Sequence, residues 1–193
     1  MILAVGLGNP GPRYEWTRHN VGAWAARRAA AAAGAGPFRA RFSGLLAEGR
    51  IGDEPVAYLL PQTFMNASGQ SVREAVEVLG VDVGQLVVLH DELDLPAGVV
   101  RLKQGGGEAG HRGLRSVSEQ LGTRDYVRVR IGIGRPDPAF EGDVADFVLE
   151  AVPSAERARL LVSADRAAEA VSSIALSGVA SAMNEINQRD SSR

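Results

Sequence analysis

Short apolar runs separated by amphipathic stretches set the rhythm of the chain. Residues 2–5 form an unbroken apolar run of strand length, the pattern of a buried strand. An alanine-rich stretch over about 20–33 predicts a helix ending near Gly34 and Gly36. Two strands are expected next, over about 40–48 and 56–60, with Gly52-Asp53 as the turn signal between them. Val72, Val76 and Leu79 share one face of a helix predicted over about 67–79. The apolar run at 86–90 reads as a strand that delivers Asp91 at its carboxyl end, where sites in open α/β sheets gather. Beyond it the pattern predicts a strand near 99–102, a helix near 114–121, a strand over 126–133 and a helix over about 155–176. This succession implies one α/β domain, a twisted mixed sheet flanked by helices. The domain is expected over residues 1–187, with 188–193 as a disordered tail. The proline-containing stretch 134–143 reads as a mobile loop, either a lid or a plain surface connection.

Composition leaves this picture intact and narrows the chemistry. With 193 residues, 45% hydrophobic and 23% charged, the chain fits an ordinary single-core globular protein. It has no cysteine, so disulfides, thiol nucleophiles and thiolate metal sites are all excluded. The amino terminus has neither the basic n-region nor the apolar length of a signal peptide, and a cytoplasmic protein is expected. Net charge is only −2, yet no acidic residue occurs from Trp16 to Ala47, where Arg18, Arg27, Arg28, Arg39 and Arg41 fall. That run is compatible with RNA contact and equally with a solvated helix face. Arg124, Arg128, Arg130 and Arg135 form a second basic stretch, and Lys103 is the single lysine.

Four polar clusters interrupt the apolar pattern: Gly8 to Gly11 with Arg18-His19-Asn20, then Phe64-Met65-Asn66, then His90 to Asp94, then Gly105 to His111. Gly6-Leu7-Gly8-Asn9-Pro10-Gly11 imitates a dinucleotide fingerprint. The acid expected some 20 positions on is missing, and Pro10 removes an N–H from the turn. The triglycine Gly105-Gly106-Gly107 is not followed by Gly-Lys-Ser or Gly-Lys-Thr, so no P-loop forms. The G-x-S-x-G nucleophile elbow is absent too. His19, His90 and His111 with the acids near Asp91 lack the familiar metal spacings. Water activated by a histidine is the simple hydrolytic route that remains.

These same clusters carry a resemblance. Residues 5–14, 17–22, 63–69, 90–98, 103–113 and 128–136, in this order, resemble the bacterial peptidyl-tRNA hydrolase family, and Ala182-Met183-Asn184 with Asn187 is similar to its ending. The resemblance implies a monomeric α/β enzyme without metal or organic cofactor. Its substrate would be peptidyl-tRNA, cleaved at the ester between an N-acylated aminoacyl group and the 3′ ribose, so that tRNA from stalled translation is recycled. No membrane partner is implied. Under this resemblance His19 would activate the water and Asp91 would orient it, while Asn9 and Asn66 would position water, oxyanion and substrate. Tyr14, Phe64 and Met65 would line the groove for the peptide and the terminal nucleotide, leaving His90 and Glu92 with structural duties.

On the RNA side, the resemblance places the tRNA phosphate grip on Lys103 and Arg130, near the acceptor end. A point charge and a fork donor suit a phosphate. Arg128 and Arg130 would share one face of a strand, so structural pairing with acids remains open for one of them. One departure stands out: the family's usual Gly-His-Asn-Gly reads Gly110-His111-Arg112-Gly113 here. A guanidinium donates but cannot accept, so Arg112 cannot replace a water-orienting amide oxygen. It would either attract RNA phosphate or swing outward. The alternative reading is a noncatalytic RNA-binding relative on the same fold.

Overall fold

The computed structural model describes residues 1–189; residues 190–193, most of the expected tail, lie outside the described residues. Seven strands form one sheet: β1 (Ile2–Gly6), β2 (Arg39–Arg41), β3 (Gly44–Ile51), β4 (Glu54–Pro61), β5 (Leu86–Glu92), β6 (Val100–Gln104) and β7 (Val127–Gly132). Six helices among the described residues accompany them: α1 (Val21–Ala32), α2 (Ser68–Leu79), α3 (Arg112–Leu121), α4 (Val144–Leu149), α5 (Ser154–Ser177) and α6 (Val179–Arg189). The strand order is β2-β3-β4-β1-β5-β7-β6. β1 is parallel to both β4 and β5, and β5 to β7, whereas β2, β3 and β6 pair antiparallel, so the sheet is mixed as expected.

Alternation along the central strands divides the core. Ile2, Ala4, Val87 and Leu89 pack with α1 and α5, while Leu3, Val5, Leu86 and Val88 pack with residues of α2 and α3 on the other face. Burial on both faces is why β1 and β5 read as unbroken apolar runs. The helix expected over about 155–176 is α5, whereas the strand expected over about 40–48 is divided. It is two strands, β2 and β3, joined by a tight turn in which Phe42 and Ser43 have φ of 57° and 49°. No glycine marks that turn, which hid it. Two short helices were also missed, α4 after the 134–143 stretch and α6 after Gly178. Gln188 and Arg189, assigned above to the tail, complete α6. The Asn187 side chain lies along the open side of β6, accepting from Leu102 N–H at 2.8 Å and donating to the Leu102 carbonyl at 3.0 Å.

The chain leaves β1 toward one edge of the sheet and crosses from β4 back to β5 on the other side of β1, so a crevice opens at the carboxyl ends of β1 and β5. Its depth depends on how closely α1 approaches the sheet. Gly22 lets it: a Cβ there would meet the Leu89 carbonyl oxygen at 2.2 Å. Gly69 plays the same part between α2 and α3, where a Cβ would fall 2.1 Å from the Ser116 carbonyl oxygen. Because both obstacles are backbone, Gly22→Ala is expected to cost about 1–3 kcal/mol by overpacking, read as a lower urea midpoint with an unchanged slope.

Candidate active site

Three loops and one strand end meet in the crevice. Asn9 follows β1 and is clamped by Asn20: its N–H donates to Asn20 Oδ1 at 2.8 Å and its carbonyl accepts from Asn20 Nδ2 at 2.9 Å. The Asn9 side-chain oxygen accepts from Met65 N–H at 2.7 Å, tying the β4–α2 connection to the same point. With its oxygen so occupied, the Asn9 amide nitrogen is the donor left over for a ligand. The 3₁₀ turn Arg18–Asn20 then carries His19 over the end of β5.

His19 Nδ1 lies 2.9 Å from both oxygens of Asp91, a residue 4% exposed. A second ring, one of the three histidines grouped above with the acids near Asp91, shares this carboxylate. His111 Nε2 is 2.8 Å from Asp91 Oδ1, and His111 Nδ1 accepts from Gly113 N–H and Leu114 N–H at 3.1 and 3.2 Å as the N-cap of α3. Since Nδ1 accepts two N–H groups, the ring hydrogen of His111 sits on Nε2 and points at Asp91. Asp91 therefore receives N–H donors from two imidazoles. Burial alone would raise its pKa, but the charge interactions and hydrogen bonds of His19 and His111 outweigh burial and hold the carboxyl well below the ordinary carboxylate range. Donation from His19 Nδ1 leaves Nε2 as the basic nitrogen, without a hydrogen-bond partner among the described residues.

The nitrogens of His19 and His111 and an oxygen of Asp91 come within 4.8 Å of one another, close enough to suggest a metal cage. Their geometry is that of a hydrogen-bond relay instead. Both nitrogens address the carboxylate itself as N–H donors, and a cation would need those same nitrogens stripped of hydrogen and turned to a common point.

Around this centre opens a cleft of about 510 Å³, the size of a small-ligand site. The structure brings Asn9, Tyr14, His19, Phe64, Met65, Asn66, Asp91 and Arg112 together on its walls. Tyr14 and Phe64 meet edge to face, centroids 6.4 Å apart, and Phe64 is 60% exposed, an aromatic surface at the rim. Met65 contributes chiefly its backbone N–H, its side chain being buried beside α3. The Asn66 amide and the Arg112 guanidinium have no protein hydrogen-bond partner among the described residues, and both are exposed. The other cation of the cleft, Arg135, is paired with Asp94 at 2.6 Å.

Lys103 and Arg130 do not line the cleft. They lie on adjacent strands, with Lys103 opposite Arg128 and Arg130 opposite Arg101, so all four occupy one face of the sheet. Arg128 is the structural one: buried, it donates to the Gly106 and Gly107 carbonyls at 2.6 Å each and fixes the triglycine loop. Arg130 reaches Glu92 at 3.4 Å, and exposed Lys103 lies against Gly106 without an ion pair among the described residues. Arg18, counted above in a basic run suited to a solvated face, is buried instead. Arg18, Asn20 and His111 stand out in the sequence as members of the polar clusters, but their partners, Glu150 and Glu156, Asn9, and Asp91, are supplied only by the fold.

A family model described as peptidyl-tRNA hydrolase matches residues 3–193. The chain is similar to the peptidyl-tRNA hydrolase of Sorangium cellulosum, 48% identical over 189 residues, covering 98% of this chain and 85% of the relative. It is also similar to that of Citrifermentans bemidjiense, 46% identical and covering 97% of this chain and 98% of the relative. Among solved structures, the crystal structure of peptidyl-tRNA hydrolase from Acinetobacter baumannii superposes with a TM-score of 0.88 at 39% identity, covering 97% of this chain and 94% of that one.

His90 sits below the relay, 1% exposed, its Nδ1–H donating to the Asp91 carbonyl at 2.8 Å and its Nε2 without a hydrogen-bond partner among the described residues. Burial, with the nearby charges of His111 and Arg128, pushes it down to about 3. The folded value lies below the unfolded value of about 6.5, so the unfolded chain binds the extra proton and stability falls as pH drops from about 6.5 toward 3. The slope approaches about 1.4 kcal/mol per pH unit only well below pH 6.5, so the loss between pH 6.5 and 5 is on the order of 1–2 kcal/mol. His90→Asn should lose about that much less over the same window in urea titrations at the two pH values.

Proposed function

The chain belongs to the peptidyl-tRNA hydrolase family, and from that premise we propose that it hydrolyses the ester between a peptidyl group and the 3′ ribose of tRNA at the His19–Asp91 centre. The observation that carries this reading is the His19 Nδ1–Asp91 contact at 2.9 Å beside a cleft that receives the opposite side of the ring. His19 Nε2 takes a proton from water, and the hydroxide attacks the ester carbonyl carbon. Asp91 stabilises the imidazolium that forms. The amide nitrogens of Asn9 and Asn66 donate to the developing oxyanion and to the substrate backbone, where each such donor is worth about 2.7–4 kcal/mol. Collapse of the tetrahedral intermediate breaks the bond to the ribose 3′ oxygen, which regains a proton from His19 Nε2.

Tyr14, Phe64 and Met65 then bound the space for the terminal adenosine and the peptide, aromatic faces being suited to an unstacked base. Asn66 binds the first peptide bond, which would favour N-blocked over free aminoacyl groups. Lys103 and Arg130 hold a phosphate of the acceptor region, adding salt-dependent affinity without sequence specificity. A monomer is part of the same reading, and no helix among the described residues is long and apolar enough to cross a membrane. A cytoplasmic enzyme acting on tRNA released from stalled translation follows from the same reading.

Release of N-acetylated amino acid from labelled tRNA tests this directly. The parent protein should cleave the blocked substrate, and His19→Ala should lower the rate by about 10²–10⁴. Binding without cleavage by the parent protein would overturn the hydrolase reading in favour of an RNA-binding relative. Arg112 donates but cannot orient a water through an acceptor, so Arg112→Asn should raise turnover while leaving tRNA affinity within about twofold. Unchanged or lower turnover would show that Arg112 does not hinder the site.

A further inference from the structure

Arg18 stands next to the proposed general base in sequence, is 4% exposed, and directs none of its charge at the cleft. Its Nε and Nη2 grip the two oxygens of Glu156 at 3.0 and 2.8 Å. Its Nη1 donates to the Phe147 carbonyl at 3.0 Å and to Glu150 Oε2 at 2.7 Å. The guanidinium carbon lies 4.1 Å over the Phe147 ring. All of these partners belong to α4, to the residue that follows it, or to the first turn of α5. Burial works against the charge, but the hydrogen bonds and charges of Glu156 and Glu150 outweigh it and hold the guanidinium ionised.

What Arg18 holds has little support of its own. α4 is only six residues long, well short of the length at which an isolated helix is stable, yet Val144, Ala145, Val148 and Leu149 form one wall of the cleft. Further contacts continue the seam: Val152 N–H donates to the Trp16 carbonyl at 2.8 Å, Thr17 forms a β-bridge with Ala151, and Arg157 lies 4.4 Å over the Trp16 ring. The segment from Trp16 to His19 thus anchors the α4 wall on one side and presents the imidazole to Asp91 on the other.

We propose that Arg18 is a positioning residue for the hydrolysis, coupling the seating of the α4 wall to the alignment of His19 on Asp91. A substrate packed against α4 then presses on the turn that carries the base, and a loosened wall releases that turn. The inference rests on the catalytic reading given above for its effect on rate. The coupling itself is a property of the fold and has its own readout.

The experiment compares the parent protein with Arg18→Gln and Arg18→Lys, measuring kcat and KM on N-acetylaminoacyl-tRNA and hydrogen exchange in parallel. Arg18→Gln should raise KM and lower kcat, with a combined loss of about 10- to 100-fold, the scale of a small misplacement of reacting groups. Exchange should rise at residues 144–149 and at 18–20 together, while Leu86–Glu92 stays protected. Arg18→Lys, which keeps the charge but loses the fork, should recover thermal stability without recovering KM. If 144–149 opens while 18–20 keeps its protection, or exchange rises uniformly through the sheet, or the kinetics match the parent, the coupling is overturned. A parent protein that cleaves nothing defeats the catalytic reading alone, and the paired exchange at 144–149 and 18–20 still decides the coupling.

Discussion

A single buried carboxylate organises this end of the molecule. Asp91 sits where a charge is costly unless it is hydrogen-bonded, and the donors that make it tolerable come from two separate segments, the turn carrying His19 and the cap of α3. Loss of either ring would remove one of the two N–H donors that offset the burial of the carboxylate. That one requirement holds the β1–α1 loop and the start of α3 in register with the end of β5. Asn9, tied to Asn20 and Met65, extends the constraint to the β4–α2 connection.

The two histidines on Asp91 are not equivalent, and the difference comes from their other nitrogens. His111 Nδ1 is occupied by the first N–H groups of α3, so that ring is fixed in one tautomer by a helix end. His19 Nε2 has no such partner among the described residues, and His19 lines the cleft. One carboxylate thereby supports a static ring and a ring free to exchange a proton. The acids around the cleft are similarly disposed: Glu92, Asp94 and Glu108 are each matched by an arginine, which keeps the polar lining from repelling an anionic substrate.

How much of this was legible in the sequence follows from which physical signal each part leaves. β1 and β5 are covered on both faces and so appear as unbroken apolar runs, which placed Asp91 at a strand end correctly. The polar clusters around Asn9, His19 and Asn66 were visible because amides and an imidazole interrupt those runs, and the structure brings them together. Arg18 was read as surface because charge in a sequence looks solvated, and only the fold supplies Glu150, Glu156 and the Phe147 ring to bury it. The helix α4 left no periodic pattern to find, being six residues long, and the hydrogen bond that ties it to Arg18 spans 129 positions. The sharing of Asp91 by His111 likewise depends on a separation of 20 residues that no local pattern encodes.

The two borders of the sheet differ in a way that bears on life at high protein concentration. A row of unpaired strand amides is an invitation for another copy to add a strand. At β6 the Asn187 amide already takes both hydrogen-bonding groups of Leu102, so an incoming strand would have to displace the chain's own last helix. At the other border, β2 is three residues long and presents Arg39 and Arg41 to solvent, a short charged rim on which a second copy would meet like charge. A sheet guarded by an amide at one margin and by repulsion at the other can keep its crevice open to a large polyanion without offering its flanks to itself.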